Sequence, residues 1–144
     1  MITFPKRLEY FYKNDPERVA ITFQQAGEDD LQITYKDLYD QASAYAVSLS
    51  KEKIKPGEVV VLIFNFCPEL IYAFWGAILN GSIPAILPFL TEKLSPDRYY
   101  SDLSSLIEIT QPAAIVTYSD FEELAKDASS VGSSVRSILV ADQI

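Results

Sequence analysis

The first alternation of apolar and polar positions in this chain runs through Val19–Gln25 and resumes at Leu31–Thr34, on either side of the polar turn Ala26-Gly27-Glu28-Asp29-Asp30. A period of two on both sides of a turn predicts a β-hairpin at the edge of the fold. The period then lengthens. Tyr35, Leu38, Tyr39, Ala42, Tyr45, Ala46 and Leu49 recur at three- and four-residue spacing, the apolar stripe of one helix. Thr34 with Asp37 three positions on gives a capping-box pattern at its start. Its end is expected near Lys53, ahead of Lys55-Pro56-Gly57.

Beyond residue 58 the pattern changes character. Val59–Phe64 is an unbroken β-branched and aromatic run, as in a strand covered on both faces. A helix is predicted from Pro68 to a left-handed cap at Asn80-Gly81. Ile83–Leu87 reads as a second buried strand. Ser95-Pro96 opens a helix with Tyr99, Leu103, Leu106 and Ile107 on one face, and Gln111-Pro112 closes it. Ala113–Thr117 is a third strand, Asp120–Ser129 a short helix and Val135–Val140 a fourth strand. Strands alternating with helices of this length predict an α/β fold, a mostly parallel doubly wound sheet with helices on both faces and the hairpin at its N-terminus.

Composition narrows the chemistry. At 144 residues the chain suits one domain that buries about 68% of its unfolded surface. The net charge of −8 argues against nucleic acid, because phosphate binding needs clustered Lys and Arg. The local cluster Lys51, Lys53 and Lys55 is expected at a solvated helix end, where cations suit the helix dipole. There is no His, so His-based acid–base chemistry and His metal sites are excluded. A single Cys excludes an intrachain disulfide and fits a reducing, cytoplasmic compartment. Lys6, Arg7 and Glu9 have no apolar run behind them, so no signal peptide is visible. Asn65, Pro68 and Glu69 interrupt the apolar stretch at 59–90, and the ten or so residues left at Leu70–Leu79 fall short of the roughly twenty a membrane span needs.

Several residues invite a chemical role. Gly76-x4-Gly81-Ser82 lacks the Lys of a phosphate loop and lies between helix and strand in the wrong order. Gly76 is instead expected to allow close helix packing, and Gly81 to supply a positive φ. Cys67 stands at a helix start, where a dipole lowers a thiol pKa, yet its neighbours Phe64, Phe66 and Leu70 are apolar and favour a buried core residue. Asn65 either faces a crevice at the carboxyl end of its strand or caps the following helix, and the cap is the preferred reading. Asp29-Asp30 and Glu122-Glu123 are adjacent in sequence and do not converge on one atom. Trp75 and the other aromatic residues read as core rather than as a stacking platform.

Two segments carry a resemblance. Ile33-Thr34-Tyr35-Lys36-Asp37-Leu38 and Gly76-Ala77-Ile78-Leu79-Asn80-Gly81-Ser82-Ile83-Pro84-Ala85-Ile86-Leu87-Pro88 resemble the first two core motifs of the adenylate-forming (AMP-binding) ligases. Pro56-Gly57-Glu58-Val59-Val60, Glu69–Ala77 and Pro112–Val116 are similar to the strands and helix around them, in the same order. The link Phe89–Tyr99 is similar to the fatty-acyl-AMP ligase, acyl-CoA synthetase and polyketide or peptide-synthetase loading branch. The resemblance implies a parent enzyme that activates a carboxylic acid with ATP and Mg²⁺ and passes the acyl group to CoA or to an acyl or peptidyl carrier protein.

The family's phosphate loop, adenine and ribose sites and C-terminal lysine all belong beyond residue 144. The resemblance therefore places no catalytic, cofactor-binding or metal residue on this chain, and residues 1–144 are expected to be an incomplete N-terminal subdomain, inactive alone. A last strand with no helix after it points the same way, and is expected to expose apolar surface and to drive self-association through residues 131–144. The alternative is a self-sufficient, non-enzymatic α/β binding or interaction module.

Overall fold

The computed structural model describes residues 1–130 and 133–144. Its elements are α1 (Phe4–Asn14), β1 (Val19–Phe23), β2 (Leu31–Thr34), α2 (Tyr35–Lys51), β3 (Val59–Ile63), α3 (Pro68–Asn80), β4 (Ile83–Leu87), α4 (Pro96–Thr110), β5 (Ala114–Thr117), α5 (Glu122–Ser129) and β6 (Ser137–Val140). β1 and β2 pair antiparallel as the expected hairpin. β3 to β6 form one parallel sheet in the order β4-β3-β5-β6.

Side-chain alternation along β3 and β5 divides the core into two layers. Val60, Leu62 and Phe64 with Ala114 and Val116 face Ala73 and Ala77 of α3 and Tyr45 and Leu49 of α2. Val61, Ile63 and Ile115 face Tyr99, Leu103 and Ile107 of α4 and Phe121 and Ala125 near α5. The sheet is thus doubly wound, with both faces covered. A third, smaller core of Leu8, Phe23, Ile33 and Leu38 joins α1 and the hairpin to α2 and α3.

Caps mark where the helices start and stop. Thr34 Oγ1 accepts from the Asp37 amide at 3.1 Å while Asp37 accepts from the Thr34 amide at 3.1 Å, the reciprocal box that opens α2. At its other end Lys53 takes a φ of 59°, and the Lys53 and Ile54 amides donate back to Ser50 and Leu49. Gly81, at φ 81°, closes α3 in the same way, its amide and that of Ser82 returning to Ile78 and Ala77. Gly76 lies against α2: a Cβ there would stand 2.4 Å from that of Tyr45 and 2.9 Å from the Ala42 carbonyl oxygen.

Four expectations need correction. α1 was not anticipated; its apolar positions Phe4, Leu8 and Phe11 are interleaved with Lys6, Arg7, Glu9 and Lys13, and only Leu8 is buried. β4 is not a buried strand but a sheet edge, with Ile83 and Ile86 about half exposed; Pro84, which cannot donate to a ladder, belongs at such an edge. Leu106 is exposed rather than part of the buried face of α4. β6 does not lie bare: Val140 is buried, Leu139 packs on the α2–α3 side and Ile138 on the α4–α5 side.

The amino end of the sheet is bound by polar contacts across distant segments. Arg136 donates two hydrogen bonds to the carboxylate of Glu58, at 2.8 and 2.7 Å, and a third to the Lys53 carbonyl at 3.3 Å. Ser137 donates to Glu52, Ser134 to the Pro112 carbonyl and Asn80 to the Ile54 carbonyl. The Arg136 pairing holds Glu58 well below the usual carboxylate range, at about 2.

Candidate functional site

Open doubly wound sheets bind ligands outside the carboxyl ends of their strands, where the strand order reverses. In this chain that point lies between β3 and β5. The chain leaves β3 for β4 on one side, then crosses to β5 on the other. The residues that follow the two strands, Phe64–Cys67 and Tyr118–Asp120, therefore flank the place where such sheets open a crevice. Thr117 ties its base together, donating from Oγ1 to the Ile63 carbonyl at 2.7 Å in a fully buried bond.

Phenols and aromatic rings dominate this edge. Tyr118, the first residue after β5, packs against both core layers. The Phe121 ring lies 5.9 Å from that of Tyr118 and 5.8 Å, edge-on, from that of Tyr99. Tyr99 donates its hydroxyl to the carbonyl of Pro88, just after β4, at 2.5 Å. Burial pushes the Tyr99 phenol up to about 12, with Tyr118 adding to the effect. Burial first, then Asp120 and Cys67, raise the Tyr118 phenol. Tyr45 of α2 is raised too, by burial and then by Glu69, Cys67 and Asp142. All three are neutral hydrogen-bond donors at pH 7 rather than nucleophiles or bases.

Cys67 occupies the N-cap of α3 without a side-chain cap hydrogen bond, and is half-buried against the α2–α3 layer rather than fully buried. Burial, above all, raises its thiol, so the core reading stands over the nucleophile. Asn65 is not the cap of α3, because Pro68 at the first helical position fixes the start two residues further on. It is exposed at the carboxyl end of β3, as its other reading requires. Asp29 and Asp30 lie exposed beside the hairpin turn, and Glu122 and Glu123 share an ion pair with Lys126. Gly81 closes a helix ahead of β4, the opposite of a phosphate loop's order.

The structure thus adds to this edge Tyr118, which the sequence did not single out, and Tyr99, which it read only as part of a helix face. Their signal was positional: Tyr118 directly follows the apolar run 113–117. A nucleotide triphosphate would need cations and convergent amides here. Around Tyr118, Tyr45 and Cys67 the titratable groups are phenols, a thiol and the carboxylates of Glu69, Asp120 and Asp142, and Arg98, beside Pro88 and Tyr99, is paired with Asp102, an arrangement that does not fit one. Among the described residues no group of three or more Cys, Asp or Glu is placed to hold a metal ion.

Comparison with known proteins gives a consistent result. The family profile described as AMP-binding enzyme matches residues 8–143. Aspulvinone E synthetase from Aspergillus terreus is 39% identical over 77 residues, which is 53% of this chain and 8% of that protein. Probable 4-coumarate–CoA ligase 1 from Dictyostelium discoideum is 29% identical over 116 residues, 76% of this chain and 20% of that protein. Among solved structures, one from a study of fatty acyl-adenylate ligases from E. coli and L. pneumophila superposes with a TM-score of 0.80 at 24% identity, covering 99% of this chain and 25% of that one. The chain spans a quarter or less of each of these proteins.

Proposed function

The chain belongs to the AMP-binding enzyme family, and from that premise we propose that it is the N-terminal α/β part of an ATP-dependent ligase that activates a carboxylic acid as an acyl adenylate. The observation that carries this reading is the family match across residues 8–143, nearly the whole doubly wound unit. The acid is of fatty or related acyl type, and the acceptor is the thiol of CoA or of an acyl or peptidyl carrier protein. The names of the relatives, a CoA ligase and acyl-adenylate ligases, support this finer part. No helix among the described residues is long and apolar enough to cross a membrane, and the single Cys suits the cytoplasm, where we place the enzyme.

Within that enzyme these residues serve as scaffold. Asn65, Cys67 and Tyr118 flank the point where the strand order reverses and form one wall of the ligand crevice, fixed from beneath by the Thr117–Ile63 bond. The wall orients and dehydrates an apolar ligand; it supplies no cation for a phosphate. ATP and Mg²⁺ provide the activating group in the whole ligase, and their ligands lie outside this chain. The 144 residues alone are therefore inactive in adenylate formation.

ATP–pyrophosphate exchange with a panel of fatty acids tests the reading, run on the 144-residue chain and on the protein encoded by the full open reading frame. Exchange by the long protein and none by the short one is expected. Exchange above background by the 144 residues alone, or a frame that stops at codon 144, would overturn it.

A further inference from the structure

We propose that the hollow between α1, the hairpin, α2 and α3 is a binding site for a single-ring aromatic carboxylate. Its volume is about 160 Å³. Leu8 and Leu38, both buried, line it together with the aromatic side chains of Phe4, Phe11, Tyr35 and Trp75. An apolar cavity of about 150 Å³ lined by Leu, Ile and Phe stays dry and takes up a benzene ring. This hollow has a similar volume but is half open to solvent, with Phe4 exposed, so it can hold one ring by its face while the ring's substituent stays at the rim.

The charge around it specifies what the ring carries. Arg7 is the one charged residue lining the hollow, and its guanidinium lies 4.8 Å from the centre of the Phe11 ring. Arg18 stacks on the same ring at 5.5 Å. Acidic residues outnumber basic ones in this chain by 20 to 12. Even so, among the described residues neither guanidinium has a carboxylate within ion-pair distance. Arg7, at the rim of an apolar hollow and without a carboxylate partner among the described residues, complements an anion attached to an apolar group. A planar guanidinium meets a carboxylate in a two-pronged hydrogen bond. Trp75 lies eight residues along α3 from Cys67, about 12 Å at the helical rise, so the hollow is separate from the carboxyl-edge crevice and independent of the ligase reading.

Trp75 is the only tryptophan and lines the hollow, so its emission reports occupancy. The probe is phenylacetate, with benzyl alcohol as the uncharged ligand of similar size. A ligand of ten heavy atoms in so small a site is expected to bind with Kd on the order of 1 mM. Benzyl alcohol should bind about tenfold more weakly, the scale of one charge-assisted contact at a solvated rim. Arg7→Gln should remove that preference while leaving the melting temperature unchanged, since Arg7 is exposed. Intermolecular nuclear Overhauser contacts should connect the phenyl protons to Leu8, Leu38 and Trp75. No response to phenylacetate at about ten times the expected Kd, equal binding of the two probes, a preference that survives Arg7→Gln, or contacts at other residues would each overturn the proposal.

Discussion

The two ends of the parallel sheet are built differently. At the amino end, Arg136, Glu58, Lys53, Asn80 and Ser137 tie distant segments together through side-chain hydrogen bonds. At the carboxyl end, Thr117 to Ile63 and Tyr99 to Pro88 are cross-segment bonds, and the same edge carries aromatic rings, phenols kept neutral and the carboxylates of Glu69, Asp120 and Asp142. The contrast teaches where polar groups are spent on holding the fold and where they are left free to meet a ligand. In parallel α/β sheets the carboxyl end is where ligands bind, and in this molecule it is the end with the fewer internal fastenings.

The largest expected effect lies in the layer that both ends share. Gly76→Ala places a Cβ 2.4 Å from that of Tyr45, so α2 and α3 must separate. A clash this close, with the Ala42 carbonyl as well as Tyr45, falls at the upper end of overpacking, about 3 kcal/mol or more, and outweighs the roughly 1 kcal/mol that Ala contributes over Gly in a helix. Urea unfolding should show a lower midpoint, and an unchanged or higher one would mean the helices are not in close contact.

A smaller effect is expected at the carboxyl end. Thr117→Val keeps the shape and removes the buried donor to the Ile63 carbonyl, for a loss of about 1–2 kcal/mol. If stability did not change, the two strands would not be held together by that bond, and the contrast between the ends would sharpen further.

The smallest and most conditional effect belongs to the amino end. The folded-state pKa of Glu58 is depressed to about 2 from 4.5, so its contribution is present above pH 4.5 and is lost as pH falls through 2. Glu58→Gln should therefore lower stability at neutral pH, where the contribution is fully present, and flatten the acid limb of the stability curve between those values. An acid limb identical to that of the parent chain would break the claim that this brace matters.

Much of this architecture was legible because its signals are local. Thr34 and Asp37 are three residues apart and mark the start of α2; Gly81 marks the end of α3; the unbroken apolar run at 59–64 gives the central strand. α1 escaped notice because a single buried leucine gives a weak period among charged neighbours. β4 was misjudged because five apolar residues look alike at the centre and at the rim of a sheet, although Pro84 held the clue. The candidate sites were legible only in Asn65 and Cys67, whose place after the central strand is local; their long-range partners were not. Thr117 meets Ile63 across 54 positions and Arg136 meets Glu58 across 78, and no spacing rule reaches that far. Arg7 and Arg18 both reach the Phe11 ring, one from within α1 and the other from the turn that follows it.

The strand order also sets a timetable for the nascent chain. β3 finds β4 as soon as Leu87 has been made, but its other neighbour is complete only at Thr117, thirty residues later. At a synthesis rate of about 5–20 residues per second, one side of the most apolar strand in the molecule waits about 2–6 s for its partner. During that interval it is a sticky ribbon outside the ribosome. The order of synthesis therefore leaves one edge of the central strand without its partner while half of the parallel sheet has yet to be made.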